Sequence, residues 1–572
     1  MAIYKSVFRT ALNAAAAASL AAASVSATAA EQAPQLGGTL NISTIYRTLD
    51  PLSWDVQRWP WKGNHDNLQL ESLLRGDLKR GPGGTKEWPY TAADYLPFDL
   101  LEGSLAESYE LLQNPLRIEF KLRKGVQWQE VPGVMQARPV VAADFVKNYE
   151  AKRNSPQAIP TYWDFVERWE AKDDHTLVAH LKTFDASWDY LIAWGYYDGL
   201  AAPEWHDLPA EKRADWRNVT GTGPYRPTEV QPGRQVVYSA NKNYWGTETI
   251  AGKEYQLPLN DKVVYNIIKD ESSAVAAFTS GRLDIMEAVR WQFADQIKKA
   301  APQVIMRRNL ANEGTYIALR TDRKPFNDVR VRRAMNMAID QKAILKSLLN
   351  GEGELLNYPF SSEWKGYYQP LSELSPKAQE LFEYKPEEAK KLLAEAGYPN
   401  GFSFDLQVCS CNPYNMDVVP MLQAYYQRIG VTMNIKAMEY GAYRSMMRHK
   451  DQADGYLINN ASGTPLAVLR KSYMTGQTWN PTMLSDPKFD EAYQAAATEL
   501  DRAKRDEMLR ALNRYIIEDV VPQVWLPTQN YYSAWWPWVK NYNGEIRNGA
   551  MRPNSIYARI WVDQELKKKM GY

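Results

Sequence analysis

The sequence predicts an α/β protein built from two or three lobes. Three observations lead to that class. Strand-like and helix-like segments alternate through the chain beyond its first thirty residues, the pattern of layered α/β folds. The 572 residues are too many for one hydrophobic core, since single cores stop growing at about 250–300 residues. A long Gly- and Pro-rich stretch at residues 76–100, with Gly81-Pro82-Gly83-Gly84 inside it, interrupts the early part as a loop-like insertion. No internal repeat stands out.

Taken in order, the first thirty residues read as a secretory signal rather than as fold. Lys5 and Arg9 form a basic start, residues 11–23 are mostly alanine, and Ser26-Ala27-Thr28-Ala29-Ala30 supplies small residues before Glu31. Cleavage is expected after Ala29 or Ala30, with the remaining chain free in the periplasm. Residues 117–123 place Ile118, Phe120 and Leu122 on one face, and residues 176–182 do the same with Leu177, Ala179 and Leu181, so both are half-buried strands. Residues 262–269 are more continuously apolar and read as a central strand. Ser272 and Ser273 are expected to cap a short helix over 274–278 that Gly281 ends. Asp328 caps a helix carrying Val331, Ala334, Met335, Ala338 and Ile339 at helical spacing, and Asp340 starts another over 341–349. Pro386 opens a helix with Glu387 and Glu388 in its first turn and Gly397 as its stop. Residues 402–406 and 431–435 then flank a helix ending at Gly430, a β-α-β unit that sets residues 409–413 just past a strand end, where open α/β sheets hold ligands.

Charge excludes one class of partner. Removing the signal segment takes Lys5 and Arg9 from 68 basic residues and leaves 66 against 67 acidic, a net charge of about −1. A near-neutral chain with no long basic run argues against nucleic acid. The 35 Tyr and 20 Trp suit packing and stacking on a flat or sugar-like solute. Cys409 and Cys411 are the only cysteines. They read as two buried thiols or as a strained short-range bridge rather than a metal site, because His65, His175, His180, His206 and His449 show no ligand spacing around them. No nucleophile elbow, His-Glu-x-x-His segment or P-loop is visible. The chain is therefore read as a non-enzyme with no cofactor and no metal.

Several stretches, in order, carry a resemblance. They are Gly37-Gly38-Thr39-Leu40 with Leu49-Asp50-Pro51, Phe120-Lys121-Leu122-Arg123-Lys124-Gly125-Val126, Gly221-Thr222-Gly223-Pro224-Tyr225, Asn241-Lys242-Asn243-Tyr244-Trp245-Gly246, Ser280-Gly281-Arg282-Leu283-Asp284, and Pro325-Phe326-Asn327-Asp328-Val329-Arg330-Val331-Arg332. Residues 384–401, ending Ala396-Gly397-Tyr398-Pro399-Asn400-Gly401 just before Phe402, add to them. Together they resemble the bacterial extracellular solute-binding proteins of family 5, the dipeptide, oligopeptide and nickel-binding group, across essentially the whole chain beyond the signal. The resemblance implies a large, three-domain periplasmic-binding-protein fold: two lobes, two hinge-crossing strands and a small domain inserted in the first lobe. On this sequence that puts lobe I at residues 31–75, 206–306 and 523–572, the inserted domain at 76–205, and lobe II at 307–522. The crossings are expected near 307–312 and 520–526. It also implies delivery of a small solute to the membrane permease of an ABC importer, and nothing in the sequence points to anything but a monomer. Gly221, Gly223 and Pro224 are expected to shape a turn, and Arg330, Arg332 and Arg333 a charged helix face.

One departure bears on the ligand. In peptide-binding members a lobe II aspartate pairs with the peptide ammonium. The matching stretch here, Asp454 to Pro465, carries Tyr456, Asn459, Asn460, Ser462 and Thr464 where that acid is expected. A buried ammonium without a carboxylate is costly, so the ligand is read as a peptide or, because the acid is missing, a non-peptide polar or aromatic solute such as an oligosaccharide. Trp54, Trp59 and Trp61 crowd the loop after the first strand and are candidates for stacking. Arg290 and Trp291 follow a second strand end, Arg290 as a carboxylate clamp. Cys409 completes the candidate set. The alternatives are a secreted hydrolase acting on glycans, and a binding protein for metal or haem uptake.

Overall fold

A computed structural model describes residues 32–43, 54–58, 60–92, 95–155, 158–159, 162–311, 313–461 and 463–572. The signal segment lies outside them. Among the described residues no helix is long and apolar enough to cross a membrane.

Three sheets organise the chain. The largest has the order Tyr225–Gln231, Gln235–Ala240, Lys262–Asn266, Thr39–Ser43, Ile285–Arg290, Thr528–Trp535, Ile305–Leu310, with the short Gly353–Glu354 pairing beside Thr528–Trp535. Thr39–Ser43 runs parallel to both of its neighbours, and the other pairs of that path are antiparallel. The second sheet has the order Thr432–Met438, Ser403–Cys409, Gly455–Ala461, Glu313–Leu319, Gln523–Trp525. Its first three strands are parallel, as the β-α-β reading requires, and Glu313–Leu319 pairs antiparallel on both sides. A separate four-stranded antiparallel sheet joins Ala106–Gln113, Leu116–Leu122, Thr176–Leu181 and Val166–Asp173. Ile118, Phe120 and Leu122 point into its core, and the intervening charges face out.

Each large sheet has its own apolar core, and the protein is a two-lobe α/β fold. The chain leaves the large sheet after Leu310, enters the five-stranded sheet at Glu313, and returns between Trp525 and Thr528. Residues 307–310 thus pair within the large sheet, and 523–525 within the other. The two passages are tied to one another. Leu526 donates its N–H to the Thr315 carbonyl (3.1 Å), and the Thr315 N–H donates to Thr528 Oγ1 (3.4 Å). A third cluster of buried side chains runs without a break from the four-stranded sheet's surroundings into the five-stranded lobe, so the two halves are apposed.

The helices follow their caps. Asp328 and Asp340 accept from Arg330 N and Ala343 N at the heads of Val329–Met337 and Gln341–Ser347. Pro386–Glu395 begins on its proline, and Gly397 follows it at φ +94°. Two expectations change. The helix expected over 274–278 runs Glu271–Thr279, because the Asp270 carboxylate accepts from Ser273 N and draws both serines into the first turn. The helix face expected to hold Arg332 and Arg333 in solvent is buried there. Arg332 donates to the carbonyls of Phe326, Val520 and Val521, beside the second passage, and burial pulls its guanidinium down to about 10. Residues 222–224 bend as expected of a turn, and Gly221 and Gly223 are also needed for close packing, since an added Cβ would lie 2.4 and 2.5 Å from the carbonyls of Gln69 and Leu68.

Candidate functional site

The seam between the lobes is where the predicted residues must be placed. Trp54 is 2 % exposed and packs in the large sheet's core. Trp59 and Ser462 lie outside the described residues, and the side chains of Trp61 and Asn460 are likewise not described. Arg290, at the end of Ile285–Arg290, is held by the protein's own carboxylates: Nε to Glu271 at 2.7 Å, and NH1 to Asp417 of the opposite lobe at 3.5 Å. Next to it, Trp291 Nε1 donates across the seam to the Leu348 carbonyl (3.3 Å). These two residues therefore make contacts from one lobe to the other.

On the five-stranded side, Asn459 is turned inward. Its Oδ1 accepts from Asn412 Nδ2 (3.1 Å) and Asn415 Nδ2 (2.7 Å), and its Nδ2 donates to Thr315 Oγ1 (2.8 Å). Both carbonyl lone pairs are occupied, which leaves one amide N–H. Thr464 caps the helix Pro465–Tyr473 by accepting from Ala467 N. Tyr456 is buried, its ring edge-on to Tyr443. Cys409 is bonded to Cys411, so of the two thiol readings the bridge is the one present, and neither sulfur is a thiolate for a metal. Among the described residues no group of three or more His, Cys, Asp or Glu stands together as a metal site.

Further contacts close the seam at its far end. Ala186 N donates to the Ala497 carbonyl (2.8 Å), Arg470 faces Asp185 (3.6 Å), and Arg502 pairs with Asp99. Tyr190 opens a π-helical turn, Tyr190–Trp194, and presses on Gly463 so closely that an added Cβ would lie 2.7 Å from its Cζ. Beneath that turn lies a charged cluster. Arg552 donates to the carbonyls of Trp194 and Gly195, and Lys152 to those of Tyr197 and Gly199. Burial pushes Asp198 up to about 8 against the pull of Lys152 and Arg552, and pulls Lys152 down to about 7. These charges shape the turn from behind.

The part of the seam that sequence reading missed lies between residues 88–92 and 95–96 on one side and 357–368 on the other. Tyr95 sits 4.5 Å from Trp364, centroid to centroid, and 5.4 Å from Trp88. The indole nitrogens of Trp88 and Trp364, the Thr91 hydroxyl and Glu363 Oε2 are all buried there, with no hydrogen-bond partner among the described residues. Burial pushes the Glu363 carboxyl up to about 7; Glu354 acts in the same direction and Arg307, from the other lobe, against it. The only signal in the sequence was a tryptophan beside an acid at 363–364, indistinguishable from ordinary packing without the fold.

A family model described as bacterial extracellular solute-binding proteins, family 5 Middle, matches residues 101–478. The chain is 27 % identical to a heme-binding protein A of Haemophilus influenzae, over 77 % of this chain and 81 % of that one. It is 25 % identical to a dipeptide-binding protein of Escherichia coli, over 73 % and 79 %. Among solved structures, the ABC transporter-associated periplasmic binding protein DppA from Helicobacter pylori, in complex with peptide STSA, superposes with a TM-score of 0.74 at 21 % identity, covering 92 % of this chain and 99 % of that one. The protein AgaA from A. tumefacien R10, in complex with agropinic acid, gives 0.71 at 20 %, covering 92 % and 99 %. At these identities the structures speak to fold alone.

Proposed function

The chain belongs to the bacterial extracellular solute-binding proteins of family 5, and from that premise we propose that it captures a solute between its lobes in the periplasm and hands it to the membrane permease of an ABC importer. The family binds and does not convert its solutes, so the protein is not an enzyme. The observation that carries the reading is the double passage at 310–313 and 525–528. Two bodies joined by two adjacent strands rotate about them at small cost, and a solute that bridges the bodies shifts the balance toward the closed form. The domain plan we propose keeps the small domain at 76–205 and moves the lobe I/lobe II exchange points to 311–312 and 526–527.

The solute we propose is a compact polar molecule held against aromatic side chains, rather than a peptide gripped at its ammonium by residues 454–465. Two features support this: no acid stands at 459–464, and Asn459 is committed to Asn412, Asn415 and Thr315. The experiment is native purification from a periplasmic extract and mass spectrometry of the solute carried along. Re-addition of that solute to stripped protein is then followed by thermal unfolding and small-angle scattering. The expected result is a raised melting temperature and a smaller radius of gyration. Chemical conversion of the solute, or no change in either quantity, counts against it.

A further inference from the structure

We infer that Glu363 anchors a positively charged group of the captured solute, an amine or a guanidinium, while the indole N–H groups of Trp88 and Trp364 and the Thr91 hydroxyl meet hydrogen-bond acceptors on the same molecule. This deepens the receptor reading above and rests on it.

Buried indole N–H groups and carboxylates are almost always partnered, and an unpaired buried carboxylate is among the costliest groups a fold can carry. Two indole donors, one hydroxyl and one oxygen of the half-buried Glu363 carboxylate have no partner among the described residues, on the two segments that the Tyr95–Trp364 contact brings together. Trp364 is fully buried, and Trp88 and Thr91 are 5 % and 6 % exposed. Among the described residues no Lys or Arg forms a salt bridge with Glu363. Arg307, the cation that opposes its upward shift, donates instead to the Asn543 carbonyl.

The surroundings are built rather than accidental. The segment bearing Thr91 is pinned from below, because Ile546 N and Arg547 N both donate to the Tyr90 carbonyl. Arg547 in turn forms a fully buried pair with Glu287, which also accepts from the Tyr557 hydroxyl. Trp88, Tyr95 and Trp364 form an aromatic wall contributed by both lobes. An acceptor-bearing solute at this wall satisfies the indole N–H groups. An anion is disfavoured by the carboxylate. The site also explains how the chain manages without an acid at 459–464: the carboxylate stands on another loop of the same lobe, facing the same seam.

The test uses full-length protein stripped of bound solute, with titration followed by tryptophan fluorescence at pH 7.5. The probes are putrescine, glucosamine and alanylalanine, each beside its fully N-acetylated form, together with the solute eluted from natively purified protein. The expectation is that the eluted solute and at least one amine bind, that acetylation weakens the amine at least about tenfold, and that Glu363→Gln does the same. Trp364→Phe, which keeps the ring and removes the donor, weakens binding about threefold to tenfold. Equal binding of acetylated and free amines, an eluted solute without a basic group, or unchanged affinity in Glu363→Gln overturns the anchor and leaves the receptor standing; satisfaction of these atoms by buried water alone gives that outcome. If neither the probes nor the eluted solute changes the scattering of the wild-type protein, the receptor reading fails and the anchor with it.

Discussion

At the scale of single residues, polar side chains in the seam divide by whether their hydrogen bonds are already made. Asn459 shows the first kind. Replacing it with alanine strips Asn412, Asn415 and Thr315 of their partner in a partly buried place. Leaving partly buried amides unsatisfied costs about 1–2 kcal/mol, so Asn459→Ala is expected to lower the unfolding free energy in urea by that amount whether or not solute is present. Glu363 shows the second kind. Its folded-state carboxyl is raised by burial to about 7, so the native protein holds its proton longer than the unfolded chain does. That raises stability at low pH and loses it as pH climbs toward 7. Glutamine has no proton to lose. The excess stability of Glu363→Gln over wild type, read from denaturant curves between pH 5 and 8, is therefore expected to grow to about 1–3 kcal/mol by pH 7–8 and then level off. A difference independent of pH would show the carboxylate to be solvated. The sequence marked the 454–465 loop as polar and placed its strand, but Asn459 meets Thr315 from 144 positions away, and no local pattern reports such a pairing.

Among the elements, the hinge and the turn Tyr190–Trp194 decide how the halves meet. Helix Val329–Met337 was legible from its cap and its apolar spacing, yet the role of Arg332 was not. A guanidinium on a helix reads as a solvent face until the chain's second passage is known to lie against it. The turn makes its own prediction. Because an added Cβ at Gly463 would meet the Tyr190 ring, Gly463→Val is expected to hinder apposition of the lobes and weaken solute affinity at least about tenfold. The melting temperature of stripped protein should hardly move, since each lobe keeps its own core. Adding Tyr190→Ala should restore most of the affinity. No restoration in the double variant would place the effect elsewhere.

For the whole molecule, the question is what drives closure. The ion pairs that span the seam, Arg290 with Asp417 and Arg502 with Asp99, are partly exposed, and such pairs are worth about 0–1 kcal/mol. They guide the approach of the lobes and do not hold them shut. Asp99→Asn is accordingly expected to change solute affinity by less than about threefold, and to leave the solute-bound radius of gyration unaltered. A larger effect in scattering or titration would make the rim itself the latch.

The sequence alone determined the α/β class, the strands and caps of most elements, the order of family motifs and the absence of an acid from residues 459–464. All of these rest on interactions within a few residues, namely apolar period, cap chemistry and glycine stops. The tertiary structure decided which side chains face the seam. It turned Asn459 inward, gave Arg290 to Glu271 and Asp417, joined Cys409 to Cys411, and left Glu363 Oε2, beside Trp364, with no partner among the described residues. The physical reason is range. Whether a buried polar group is satisfied depends on what the rest of the chain brings within about 3 Å of it, and in a two-lobe protein those neighbours come from segments hundreds of residues apart.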